Sequence, residues 1–449
     1  RPLPQPFWCL MSQRANVARP SSQNPRIKIP DVVRNDAAFQ GLVMNHSLPP
    51  SAISPSGGDA LSVSRLVLLA SLAALGALAT NIMLPAFPSI ATDLNVGARQ
   101  LSWTLSSFFI AFAIGQLFVG PLSDAFGRVP FVMGGLAVFI LGSLICAVAP
   151  SFEALIAGRA IQALGACAAS VLARALARDL YQGPALTRAL ALVMIAMAAA
   201  PGFSPALGTI VTHLLGWRGV FVFTALAAAA ILLHYKITQG ETLPRPLRRA
   251  ARPFATLRGY ASLAADPRFI LPALSVSLVI GCLYSFFGAA PALLMVGFGF
   301  SGTQMSVFFA ATVFVVFGSG LITSPLACRW GAANVGLAGL LIALAGGVWL
   351  LGQASTSTPI SFMAAVTLFL AGMGLINPIA TAIALEPFGD RAGMASALLG
   401  FLQMGCAAVG TALIGALPLP PALAYCWVIF GGVSLAVLTF IPVTRTTKP

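Results

Sequence analysis

From Leu66 onward the chain is cut into apolar runs, each of about twenty residues and long enough to cross a hydrocarbon core about 30 Å thick. They fall near 66–88, 101–120, 131–150, 153–175, 188–212, 218–237, 268–290, 303–325, 332–352, 359–381, 393–414 and 422–443. In lipid no water is present to satisfy a backbone, so each run is expected to be helical; an isolated strand would leave N–H and C=O groups unpaired. Twelve such runs are too many for a buried soluble core. Composition agrees: 58% of residues are hydrophobic and only 8% charged, against about 25% charged in average soluble domains. The expected fold is an all-α membrane protein of twelve transmembrane helices.

The distribution of Lys and Arg sets the expected orientation. With the amino terminus in the cytoplasm, that side holds Arg65, Arg128, Arg174, Arg178, Arg188, Lys236, Arg245, Arg248, Arg249, Arg252, Arg258, Arg268, Arg329, Arg391, Arg445 and Lys448, and the opposite side only Arg99 and Arg218. Both termini are therefore expected in the cytoplasm. The formal charge of +14 does not point to nucleic acid, because the basic residues lie between apolar runs and form no stripe with interleaved aromatics.

Residues 1–64 are polar, rich in Pro, Ser and Arg, and without periodicity, which is the pattern of disorder. The chain starts at Arg1, and translation is expected to begin at Met44, with 1–43 an upstream extension; a cytoplasmic tail is the rival reading. Residues 65–237 make a first six-helix bundle, 238–267 a basic cytoplasmic linker, 268–444 a second six-helix bundle and 445–449 a short tail. A faint repeat supports two matched halves: Pro121, Leu122, Phe126 and Gly127 after the second run have the spacing of Pro325, Leu326, Trp330 and Gly331 after the eighth. The stretch Gly115–Pro130 reads as a tight hairpin loop between two membrane helices, its glycines and prolines allowing the turn and Asp124 and Arg128 held where water reaches them.

Seven scattered cysteines show no CxxC pair, and His46, His213 and His234 show no ligand spacing, so no metal and no cofactor is expected. HExxH, GxSxG and paired intramembrane acids are absent, which argues against an enzyme, and no GxxxxGK[ST] loop is present for a nucleotide-driven pump.

At this point the sequence resembles the major facilitator superfamily over about Leu66 to Thr444, and within it the bicyclomycin- and chloramphenicol-resistance type of twelve-span drug:proton antiporter. Gly120, Pro121, Leu122, Ser123, Asp124, Ala125, Phe126, Gly127 and Arg128 match the signature between spans two and three. Arg159, Gln162 and Gly165 match a motif with a buried arginine, and Pro201, Gly202, Pro205 and Gly208 resemble the span-five motif of exporters. Gly216, Trp217 and Arg218, Glu241, Thr242 and Leu243, and Asn377 and Pro378 followed by Ala392, Gly393 and Ser396 fit the same branch. The resemblance implies a major facilitator fold of two pseudo-repeat bundles, a monomer, a bacterial inner membrane, and export of small organic compounds by alternating access with proton antiport.

The resemblance makes Gly120, Asp124, Gly127, Arg128 and Arg391 gate parts, with Asp124 near Arg391 at the start of span eleven. Asp179 is expected to pair with its neighbour Arg178. A guanidinium inside a bilayer costs several kcal/mol unless it faces a partner or a cavity, so Arg159 is read as functional, and the resemblance implies a role in proton relay or substrate pairing; snorkelling to the near interface or bonding to carbonyls stands as the alternative. Asn81 occupies the place where this branch commonly has an aspartate and cannot carry a proton, which leaves an uncoupled facilitator or importer of a metabolite as the second functional reading. Asn81, Phe108, Phe112, Gln116, Arg159, Gln162, Tyr284, Asn377 and Gln403 are the expected substrate and proton pathway, with Phe286 beside them. Such an apolar, weakly acidic cavity is expected to suit amphipathic or neutral compounds better than strongly cationic ones.

Overall fold

The computed structural model describes residues 62–248, 253–353 and 358–446. The expectations for 1–61, including Met44, and for Arg249, Arg252 and Lys448 fall outside them. Ten helical runs among the described residues are long and apolar enough to cross a membrane. Two of these have 56 and 58 residues, and at 1.5 Å per residue each would be over 80 Å long if straight. Both are two spans: Gly183–Thr238 breaks at Gly216 (φ 71°, ψ 179°), and Pro359–Ala416 is divided by the short turn Glu386–Arg391.

Twelve spans result among the described residues. Span 1 is Val63–Asn81, continued after a break by a 3₁₀ turn, Leu84–Ala86, and the helix Phe87–Asp93. Spans 2, 3 and 4 are Ala98–Phe126, Arg128–Ala147 and Phe152–Leu180. Spans 5 and 6 are 183–215 and 217–238. The short helix Pro253–Ala264 lies in the linker. Spans 7 to 10 are Pro267–Ala290, prolonged by a π turn over Pro291–Gly297, Gly302–Trp330, Ala332–Gly352 and Pro359–Leu385. Spans 11 and 12 are Ala392–Ala416 and Pro421–Thr446.

The packing repeats with a shift of six spans. Span 3 packs on span 4 as 9 does on 10, span 2 on 4 as 8 on 10, and span 1 on 4 as 7 on 10. The two largest contacts between the halves are span 2 against span 11 and span 5 against span 8; span 7 also touches span 2 and the break in span 1.

The signature segment is not a loop. Span 2 stays helical through Pro121 to Phe126, and span 3 begins at Arg128. The reversal is made at Gly127 alone, at φ 104°, a backbone region that L side chains rarely enter. Gly331 does the same at φ 83° between spans 8 and 9, with Pro325 inside the preceding helix as Pro121 is. The sequence repeat is therefore a repeat of turn geometry.

Close helix approach is bought by missing side chains. A Cβ on Gly142 or Gly165 would strike the backbone of the facing helix at Gln162 or Phe139, so spans 3 and 4 touch backbone to backbone. Gly208 of the exporter motif sits directly against the Ile82 carbonyl, at the break in span 1. Pro205 is buried beside it, and Gly202 faces Val313 and Ala310 of span 8 across the junction of the halves. Pro201 begins the same turn of helix.

Candidate functional site

Span 1 stops at Asn81 because Pro85 and Pro88 follow closely and cannot donate to a helical ladder. The last carbonyls before the break lose their usual partners. Arg159 answers one of them: its Nη1 donates to the Ala79 carbonyl at 3.1 Å and to Gln162 Oε1 at 2.5 Å. The guanidinium carbon stands 4.3 Å over the Phe108 ring. Arg159 is fully buried, so it does not snorkel to an interface.

Gln162 is committed to its neighbours. Besides receiving from Arg159, its Nε2 donates to Ser143 Oγ at 2.7 Å and to Thr224 Oγ1 at 3.4 Å, tying spans 3, 4 and 6. Asn81 Nδ2 donates to the Ala77 carbonyl at 2.8 Å and to Thr80 Oγ1 at 3.1 Å. What remains is specific: Arg159 Nε and Nη2 and Asn81 Oδ1 are buried without a hydrogen-bond partner. Phe108 stacks on Phe112 at 6.0 Å, and Phe109 meets Tyr284 of span 7 at 4.8 Å, so an aromatic wall leads from the arginine to the second half. Phe286 lies deeper, stacked on Phe309. Gln116 is buried against Gly400 of span 11. Asn377 and Gln403 are half-buried on spans 10 and 11 and are not drawn to Arg159.

No described acid lies in the interior of a span. Asp93 holds Arg218 and, at 3.0 Å, Trp217 Nε1; Glu153 opens span 4; Asp266 caps span 7; Glu386 and Asp390 lie in the turn before span 11. The interior is not weakly acidic but positive. It holds Arg159; Arg174, about four turns along the same helix toward the Arg128 end, is half-buried, and its Nη1 donates to the Met197 thioether at 3.8 Å.

The remaining acids build a second cluster at the Gly127 turn. Arg128 Nη1 meets Asp124 Oδ1 at 2.6 Å, and Arg128 Nε donates to Asp179 Oδ2 at 2.9 Å. Asp179 thus pairs across to span 3 and not with Arg178, because the buried guanidinium offers a directed fork. Thr242 Oγ1 donates to the same Asp179 oxygen at 3.1 Å. Glu241 Oε1 accepts from Arg128 N at 2.8 Å, capping span 3, and its other oxygen pairs with Arg248 at 3.2 Å. Burial raises the Glu241 carboxyl, but the N–H groups of Arg128, Leu243 and Val129 and the Arg248 charge outweigh it and hold it below the usual carboxylate range. Gly120 has open space where a Cβ would be and enters this cluster only through its carbonyl, which accepts from Ser123 Oγ at 2.9 Å, the hydroxyl that in turn accepts from Arg128 Nη1 at 2.7 Å. The structure does not bring Asp124 to Arg391; Arg391 Nη1 donates to Ser262 Oγ of the linker helix at 3.4 Å.

The halves are sewn at the opposite end. Arg99 Nη2 donates to the Leu419 carbonyl at 3.1 Å, Ser106 and Thr411 share a hydrogen bond at 2.8 Å, and Thr209 lies 3.4 Å from Ser306. At the Arg128 end the linker helix bridges instead: Tyr260 donates to the Leu117 carbonyl at 3.0 Å, and Gly259 packs on Met394 of span 11. Reading motifs one by one missed Ser143, Thr224 and Tyr260, whose only sequence signal is a polar atom inside or beside an apolar run.

The chain has counterparts among known proteins. The Major Facilitator Superfamily profile matches residues 69–411. The chain belongs to that superfamily. It is a multi-pass membrane transporter. Multidrug resistance protein D of Escherichia coli (strain K12) is 28% identical over 76% of this chain and 86% of its own length. The chloramphenicol resistance protein of Pseudomonas aeruginosa is 30% identical over 80% of this chain and 87% of its own. The crystal structure of a D-xylose-proton symporter, 16% identical, superposes with a TM-score of 0.69 over 84% of this chain and 97% of the symporter, a likeness of fold.

Proposed function

We propose that this protein exports small organic compounds across a bacterial inner membrane by alternating access, with the Arg128 end and both termini facing the cytoplasm and inward proton movement as the driving force. The observation that carries the reading is the buried cluster of Arg159 and Asn81 at the break in span 1: it has unspent hydrogen-bonding capacity inside a bundle whose halves meet chiefly along spans 2 with 11 and 5 with 8. The drug-resistance names of the relatives support the direction of transport. The basic loops support the orientation, and a single chain with two matched halves supports action as a monomer in the bilayer.

A second reading, an uncoupled facilitator or an importer, is favoured by Asn81, which holds no proton. Expression in a pump-deficient strain tests the first: tolerance to chloramphenicol and to a panel of neutral and charged antimicrobials is expected to rise at least for one class. Flux in proteoliposomes with and without a pH gradient separates the two, since an uncoupled carrier only equilibrates its solute.

A further inference from the structure

We infer that Arg159 forms a subsite for the oxyanion of the transported solute, a carboxylate or sulfonate carried on an aromatic body, with Asn81 Oδ1 as acceptor for a donor group on the same solute. This rests on the export reading and narrows its substrate class.

The argument begins with charge. A guanidinium stays protonated at any physiological pH, so Arg159 cannot escape burial by losing its proton. It is fully buried, and no described carboxylate lies in the interior of a span. Its partners are a carbonyl, an amide oxygen and a ring face. The carbonyl belongs to the last turn of Val63–Asn81, and a helix end supplies at most about half a negative charge. The site is left positive.

Geometry then selects the shape of the anion. The atoms of Arg159 without partners are Nε and Nη2. Their N–H bonds lie along one edge of the planar group and run parallel, and that edge engages two oxygens of one oxyanion. The protein spends the Nη1 corner on holding the side chain in place and leaves the fork free. Phe108, under the guanidinium, and Phe112, stacked on it, make the surroundings of this edge aromatic and apolar, an environment that suits an aromatic body. Asn81 Oδ1, two residues beyond the carbonyl that Arg159 grips, is an acceptor without a donor. A permanent cation would meet an unscreened like charge here, so the site disfavours strong cations, as expected, and adds a preference for anions.

The test uses the full chain in lipid nanodiscs and a matched pair of probes, 2-naphthalenesulfonate and its neutral sulfonamide. The sulfonate is expected to raise the thermal midpoint saturably and the sulfonamide not to. Arg159→Gln is expected to weaken sulfonate binding by about tenfold or more, the loss of a charge-assisted pair of hydrogen bonds. Asn81→Asp keeps Arg159 and supplies an internal counter-ion; it is expected to weaken the sulfonate similarly, and it carries the test if Arg159→Gln does not fold. Equal protection by the sulfonamide, sulfonate binding unchanged in the variants, or the same protection from sodium chloride alone would each overturn the assignment, the last by making this a halide site. Counterflow in proteoliposomes separates the two readings. Sulfonate binding with no flux of any compound overturns export and leaves the subsite, whereas flux of neutral compounds without sulfonate binding does the reverse.

Discussion

Arg128 and Asp179 face each other across spans 3 and 4, with Nε 2.9 Å from Oδ2, at the point where the chain turns between spans 2 and 3. The guanidinium side chain is 8% exposed and also holds Asp124, whose side chain is 41% exposed. Removing a partner from a buried charge costs more than removing one from a wet charge. Arg128→Ala should lower thermal stability most, since it leaves two carboxylates facing each other; Asp179→Asn should cost about 1–3 kcal/mol, and Asp124→Asn less than that. Thermal unfolding of the three variants in detergent checks the order, and an Asp124 variant as damaged as Arg128→Ala would contradict it.

Gly127 and Gly120 belong to one motif and have different duties. A Cβ at Gly127 would meet Glu241 and lie 2.7 Å from Arg248, on a backbone at φ 104°. Gly127→Ala should cost roughly 1–3 kcal/mol through strain at a positive φ and should abolish export. Gly120→Ala meets nothing within 4 Å and is expected to fold like the parent protein. Expression level and thermal midpoint of the pair give the comparison.

Glu241 links stability to pH. Its folded carboxyl titrates below the unfolded one, because backbone donors and Arg248 outweigh burial. The stability it adds is then fully present above the unfolded carboxylate range and is lost as pH falls through the folded value. Acidification from about pH 5 to about pH 3 should therefore lower the midpoint of the parent protein more than that of Glu241→Gln, which has nothing there to titrate. Parallel midpoints across that range would remove Glu241 from the account.

The seam at the Arg99 end has to open during transport. Ser106 and Thr411 touch across it at 2.8 Å. With cysteines at both positions, mild oxidation is expected to cross-link spans 2 and 11, stop flux, and let flux return on reduction. A cross-linked protein that still transports would place the moving interface elsewhere.

Much of this protein is legible in its amino-acid order. The length and spacing of the apolar runs determine twelve helices, because a backbone in lipid has no alternative partner. The recurrence of Pro121 to Gly127 at Pro325 to Gly331 announces the doubled unit, and the unusual polar residues Arg159 and Asn81 stand out because bilayers penalise them. Those signals are local: each residue reports whether it can live in lipid or must turn.

Pairing is not local, and it was settled by folding in three dimensions. Asp179 lies next to Arg178 in the chain but bonds Arg128, fifty-one positions away. Gln162 resembles a free pathway residue until Ser143 and Thr224 are seen to take up its amide. Arg159 looks like any membrane arginine until its partners are counted and one edge is found unspent. Hydrogen bonds act over about 3 Å, and no pattern of hydrophobicity along a chain specifies which two spans come that close.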